Sequence, residues 1–426
     1  MAKKTKVKKI ISKFEKNFTF SFLRLFIFII LVAGIGCTYL VKSPIENFVA
    51  DVFNVNLTTT EHGQKIEAGD LEVHFIDVGQ GDCIVIRFPD DKTMIIDAGD
   101  KDAHKVIIPY LNSIFFKENE KKEFDYALVT HSHEDHCGSM DEIYAEYQIN
   151  YSIRPYEYST RSECEIENNT YGALERNTVV YSRYIDAVYN ENDFTDNRDI
   201  IYANAGLTIT SDDSTKPYLL EFITPNKKYY DNPNDYSPIV LLEYQELSML
   251  FTGDAAEEQV EELEEILFNN LTLSNRMDRI TVYKAMHHGS ILEESNRLSL
   301  LKMLNPEYVV IQVGEDNSYQ HPHQGFLDAL VQANVKTENI YRNDLNKNIV
   351  FGISSNATVE SLLNIVSDIE VDPNASQVSS SDSEIILYYA WWIFAGALVF
   401  LCAVICFYNY GYKKRNAKVR AYEKGE

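Results

Sequence analysis

Two kinds of hydrophobic pattern divide the chain. Leu25 to Val41 and Ile385 to Tyr408 are apolar runs without a charged residue, and the first reaches back to Phe18 if Arg24 extends its guanidinium to the interface. A bilayer core needs about 20 such residues, so the pattern predicts transmembrane helices over residues 18–41 and 385–408. Between them the apolar runs are short. LEVHFIDV, CIVIRF, TMIID, YALVT, IVLLEY, LSMLFTGD, RITVYKAM and YVVIQV read as strands. Glu257 to Phe268 and Leu292 to Leu304 repeat apolar residues at helical spacing above polar faces. Hairpin-like strands first and strand–helix alternation afterwards predict an α/β fold of two sheets with helices outside. A globular domain is expected over residues 70–354, after a polar spacer at 42–69 and before a Ser/Asp-rich linker at 355–384. Residues 155–207, Tyr-rich and weakly periodic, read as an insertion or substrate flap.

Charge sets the expected orientation. The chain of 426 residues has a net charge of -25, but residues 1–42 carry nine Lys/Arg against one Glu, and residues 410–426 carry six against two. Residues 43–409 are left with 24 basic and 61 acidic residues, a net of -37. Basic residues crowd the outer side of each apolar run, so the positive-inside rule predicts cytoplasmic tails at 1–17 and 409–426. The chain is then expected to be a two-pass protein of the cell membrane, its lipid partner the bilayer and its middle domain extracytoplasmic. A cleaved signal peptide is the competing reading of the first run, but no small-x-small cleavage site follows it. A middle this acidic would repel phosphates, which excludes a general nucleic-acid-binding surface.

The candidate chemistry is histidine-rich. Thr130-His131-Ser132-His133-Glu134-Asp135-His136 follows the strand YALVT. Alternate residues of an extended segment point the same way, so His131 and His133 can share one metal, while Asp135 and His136 turn towards a second. Asp254 ends the strand run LSMLFTGD, placed to bridge two cations. His287-His288-Gly289-Ser290 ends another strand, and Asp97 ends TMIID, where orienting a ligand histidine is its expected role. A lone strand-end Asp or His is more often a turn or structural residue; the clustering is what points to metal.

H-x-H-x-D-H, with Asp97-Ala98-Gly99 before it and Thr252-Gly253-Asp254 and His287-His288-Gly289-Ser290 after it, resembles the metallo-β-lactamase superfamily. FIDVGQGDC at Phe75–Cys83, NDYSPIVLLEY at Asn234–Tyr244 and GEDNSYQHPH at Gly314–His323 resemble, more closely, the hydrolase domain of the ComEC competence protein family. The resemblance implies a four-layer αβ/βα sandwich, two divalent ions (zinc first, manganese second) and phosphodiester hydrolysis. It makes His131, His133, Asp135, His136, Asp254 and one of His287 and His288 metal ligands, with His288 preferred because it precedes a Gly. Asp135, Asp254, His287 and His321 are then the catalytic candidates, and Asn234, Ser237, His323, Tyr156 and Tyr158 the substrate candidates.

Two departures from that pattern matter. No His lies between His136 and His287, where many superfamily members place a further ligand, and Asn234 or Ser237 stands nearest that role. The chain also lacks the many spans of the ComEC channel, so DNA transport does not follow. The expected function is a membrane-anchored metal-dependent hydrolase of phosphodiesters, in nucleic acid or in cell-envelope polymers such as phosphocholine esters. The alternative is a non-catalytic, membrane-tethered binding protein on a degenerate hydrolase fold.

Overall fold

The computed structural model describes residues 71–116, 120–166, 176, 178–191, 200–354 and 363–369, all within the unit Glu61–Glu426. Among these residues no helix is long and apolar enough to cross a membrane; the runs 18–41 and 385–408, the spacer and both tails lie outside them.

The short apolar runs build two sheets. The first contains β1 (Leu71–Phe75), β2 (Ile84–Arg87), β3 (Thr93–Ile96), β4 (Glu123–Leu128), β5 (Gln148–Arg154), β6 (Ile200–Tyr202), β14 (Asn348–Ile353) and β15 (Leu363–Ile369), in the order β15-β14-β1-β2-β3-β4-β5-β6. The second contains β7 (Thr208–Thr210), β8 (Tyr218–Phe222), β9 (Val240–Tyr244), β10 (Leu247–Phe251), β11 (Val282–Lys284), β12 (Tyr308–Ile311) and β13 (Ile340–Arg342), ordered β13-β12-β11-β10-β9-β8-β7. Hairpins pair antiparallel, whereas strands joined through helices, such as β3 with β4 and β10 with β11, pair in parallel.

Alternation along β1 shows how each strand is used twice. Leu71, Val73 and Phe75 enter a core shared by the two sheets, with Ile86, Phe222, Val240 and Phe251. Glu72 and His74 point the other way, where His74 Nδ1 lies 2.8 Å from the Tyr110 hydroxyl. The outer face of the first sheet is covered by helices carrying Ile107, Ile143 and Tyr184, and that of the second by helices carrying Leu263, Leu301 and Leu330. Each such buried aliphatic or aromatic side chain stabilises the fold by about 1.5–3 kcal/mol. The layers are helix, sheet, sheet, helix.

Three boundaries differ from expectation. The helix expected over Leu292 to Leu304 begins only at Leu298, after a 3-10 turn at Leu292–Glu294 in which Glu293 adopts a φ of 56°. The expected linker at 355–384 contains β15, because LNIVSDI offers Leu363, Ile365 and Val366 to pair antiparallel with β14. Within residues 155–207, the helix Val179–Glu191 buries Tyr181, Tyr184 and Val188 under the first sheet, and β6 extends that sheet. These parts belong to the packed body, which leaves the stretch around Tyr156 and Tyr158 as the portion nearest the site.

Close approach fixes one glycine. A Cβ on Gly138 would collide with backbone atoms of Glu134, Asp100 and Lys101, none of which can rotate away. Gly138→Ala is therefore expected to destabilise the protein by about 1–3 kcal/mol, measured as a lowered urea midpoint with an unchanged slope.

Candidate metal centre

Four chain segments deliver polar side chains to one end of the two sheets. β4 runs on through Val129 and Thr130 to His131. His133 is the extended N-cap (φ -74°, ψ 151°) of the short helix Glu134–Cys137, so Asp135 and His136 fall in its first turn. Asp97 follows β3 with a φ of 57°. Asp254 follows β10 through Gly253, whose φ of 48° lets the backbone pass close to Ser237 and Thr130. His287 and His288 follow β11 with φ values of 48° and 52°. Consecutive left-handed residues without Gly are costly, and this density of them at strand ends marks a functional site.

The side chains converge. Asp135, His136, Asp254 and His288 bring ligand atoms within 4.8 Å of one another. Asp254 Oδ2 lies 3.2 Å from His136 Nε2 and 3.4 Å from His288 Nε2, while His288 Nε2 lies 3.2 Å from Asp135 Oδ2. The His131 ring stands 4.7 Å from that of His133 and 4.3 Å from that of His136, centroid to centroid. Three of the ligand histidines are held from behind. His136 Nδ1 donates to Asp97 at 2.8 Å, His288 Nδ1 donates to the Gln312 carbonyl at 2.9 Å, and His131 Nδ1 lies 3.2 Å from Ser237 Oγ. The forward atoms, His131 Nε2, His136 Nε2, His288 Nε2 and Asp254 Oδ1, are buried without a hydrogen-bond partner among the described residues. Buried donor atoms of this kind, aimed at one point and oriented through their other nitrogens, fit divalent metal ions.

Electrostatics gives the same answer. Burial opposes ionisation of Asp254, yet His136, His288 and His287 hold its carboxyl well below the ordinary value. Burial also opposes charge on His136 and His288, but the surrounding carboxylates hold both rings well above theirs. For His131 burial prevails, with His136 and His133 adding to it, and this ring is held neutral. The cluster requires positive charge, and divalent ions would supply it while accepting the lone pairs.

The remaining sequence candidates divide by position. His287 and His321 line a cleft of about 330 Å³ with Gln80, His133, Asp135, Asp254 and Tyr319. Ser237 is fully buried, touches His131 and accepts from the Asp254 amide at 3.1 Å, so it supports ligands and does not meet substrate. Asn234 donates to Glu293 at 3.2 Å, and His323 Nδ1 accepts from the Ile291 amide at 3.1 Å; both fasten the rim. Tyr156 and Tyr158 pack with tilted rings, centroids 4.7 Å apart, outside the residues that line the cleft. They flank Glu157, whose carboxylate accepts from Ser132 Oγ at 2.7 Å. Cys137 is no nucleophile, because burial pushes its thiol well up. Sequence reasoning missed Asp82, Lys284 and Glu157. The signal for Lys284 was a charged residue inside the otherwise uncharged run ITVYKAM.

His321 titrates in an accessible range. Burial, together with His288, His287 and His323, lowers its pKa from 6.5 to about 4. The unfolded chain therefore binds the extra proton first, and stability contributed by the neutral ring is lost as pH falls from about 6.5 towards about 4. His321→Gln is expected to flatten the decline of the urea midpoint across that window in metal-free protein; an unchanged slope would show that the ring is not held neutral.

Residues 76–199 match the metallo-beta-lactamase superfamily. The curated ComE operon protein 3 of Bacillus subtilis is 23% identical over 297 residues, covering 66% of this chain and 33% of that protein, so the chain spans about a third of the length of that relative. Among solved structures, CmlA, a diiron beta-hydroxylase from Streptomyces venezuelae, is 15% identical at a TM-score of 0.37, covering 67% of this chain and 54% of its own. An archaeal metallo-beta-lactamase superfamily protein from Sulfolobus tokodaii is 17% identical at a TM-score of 0.29, covering 62% and 96%. With its αβ/βα layers and its convergent histidines and aspartates, the chain carries a metallo-β-lactamase superfamily domain that resembles ComE operon protein 3 over the length they share.

Proposed function

We propose that the protein is a membrane-anchored, extracytoplasmic phosphodiesterase whose substrate is a cell-envelope polymer or a small diester. The observation that carries the hydrolase reading is the convergence of His131 Nε2, His136 Nε2, His288 Nε2 and Asp254 Oδ1, all buried without a hydrogen bond among the described residues, beside the cleft. A non-catalytic scaffold would have no reason to bear the cost of gathering buried ligand atoms without hydrogen bonds. The phosphodiester reading rests on the resemblance of the motifs. The cleft lining includes Glu134, Asp135 and Asp254 but neither Lys nor Arg, which favours a substrate without a long polyanionic backbone.

Divalent ions at such a site lower the pKa of water towards neutrality and offset charge developing on phosphorus. His131, His133, Asp135, His136, Asp254 and His288 would hold them. His321, kept neutral, offers a phosphoryl oxygen a hydrogen bond and is no charged acid at neutral pH. His287, with Nε2 3.8 Å from Asp254 and Nδ1 3.9 Å from Glu293, stands opposite as the second contact. Tyr156 and Tyr158 present aromatic faces suited to a quaternary ammonium such as choline.

The full-length protein in detergent, loaded with zinc or manganese, is expected to cleave bis-p-nitrophenyl phosphate and to prefer choline-bearing polymer to single-stranded DNA. Asp254→Asn should lower kcat at least 100-fold. Faster, steeply salt-dependent cleavage of DNA would replace the envelope substrate with nucleic acid, and no cleavage of any diester would refute the reading.

The anchoring rests on the charge-free runs and their basic flanks. A protease added to intact cells, or to spheroplasts where an outer membrane exists, is expected to remove the domain and spare tags at both ends. Digestion of the tags with protection of the domain would reverse the orientation.

A further inference from the structure

Beneath the ligands lies an ion pair that no step above uses. Asp82, in the turn after β1, is 1% exposed, and Lys284, the last residue of β11, is 0% exposed. Their side chains are in direct contact, joining the first sheet to the second under the metal centre. Burying two charges is costly, and an apolar pair of similar volume would often serve stability as well, so the contacts the pair makes must be asked what they do. Each ends on a ligand or on the residue before one. Asp82 Oδ1 lies 3.3 Å from His288 Nδ1, on the side away from the Nε2 that faces Asp254 and Asp135. The Lys284 ammonium donates to the Gly253 carbonyl at 3.0 Å, one residue before Asp254. The Asp82 amide donates to the Asp135 carbonyl at 3.1 Å. Asp82 Oδ2 also stands 3.9 Å from His136 Nδ1.

We infer that Asp82 and Lys284 form a positioning pair for the metal centre, setting His288 through its rear nitrogen and Asp254 through the carbonyl that precedes it. The Gln312 carbonyl already takes the Nδ1 proton of His288, and the Asp82 carboxylate beside it adds negative charge behind the ring, which strengthens Nε2 as a ligand. Lys284 has two tasks. It neutralises Asp82, which would otherwise compete with the cluster for cations, and it pins the strained Gly253 turn. Two of the three residues that share the cluster with His136, namely His288 and Asp254, thus depend on one charge pair, although neither partner faces the cleft.

This inference rests on the metal reading of the site, and the test separates the two. Full-length protein would be titrated with zinc against a chromophoric chelator, and its cobalt form examined by visible absorption. The double variant Asp82→Asn/Lys284→Met removes both charges while keeping volume, and Asp82→Asn alone provides a second route if the double variant does not fold. Folded variants are expected to bind the ions 10–100-fold more weakly, with cobalt bands shifted in position and intensity. Wild-type affinity and an unchanged cobalt spectrum in a folded variant would overturn the inference and leave the pair a purely structural bridge. Wild-type protein that binds no ion would instead remove the metal centre itself, and this inference with it.

Discussion

Four aspartates, Asp82, Asp97, Asp135 and Asp254, are gathered where the two sheets meet, three of them almost wholly out of water. Negative charge at that density is tolerable in a protein interior only when something positive is kept beside it. The fold supplies Lys284 from within and aims His136 and His288 at the remainder. Much of the local architecture serves this balance. Left-handed backbone at Asp97, Gly253, His287 and His288 brings the groups close, and Thr130, Ser237 and Gln312 hold them through hydrogen bonds. A domain with a net charge of -37 over residues 43–409 has concentrated its need for cations in one place.

Much of this was legible in the sequence, for identifiable reasons. Strand positions declared themselves because β2 and β3, buried on both faces, read as nearly continuous apolar runs, while β1 alternates apolar residues with Glu72 and His74. The ligand cluster declared itself because four ligand-type side chains share six residues at His131–His136, a spacing that extended backbone followed by a helical turn converts into convergence. What stayed hidden depended on distant partners. Ser237 faces His131 across 106 positions of sequence and Asp82 meets Lys284 across some 200, so no local pattern announces either contact. Strand β15 was hidden for another reason. An edge strand pairs on one side only, and its short apolar alternation is swamped by the Ser/Asp-rich composition that follows. The helix start at Leu298 was obscured in turn by the left-handed residues Glu293 and Glu294, which periodicity does not register.

The rim differs in character from the floor. On the floor His131, His136 and His288 each have a buried partner behind the ring, whereas Glu293 serves Asn232, Asn234 and His287 at once from an exposed position. Geometry that is fixed below and shared above suits a hydrolase fold whose chemistry is constant while the shape admitted to it can be altered by a few residues.

The strand order carries a mechanical consequence for the two flanks. Leu71 pairs with Ile353 and Phe75 with Ile349, while β15 runs back along β14 so that Ile369 lies beside Asn348. The incoming chain therefore joins the sheet at the end remote from the metal ligands, and the outgoing chain departs level with them, about 15 Å further along the strands. Tension on the outgoing side would unzip β15 one residue at a time from the margin of the sheet. Tension on the incoming side would have to slide β1 against two neighbours together, a far stiffer load path. A pull on the C-terminal side would thus be absorbed by an expendable ribbon before it could disturb the aspartates.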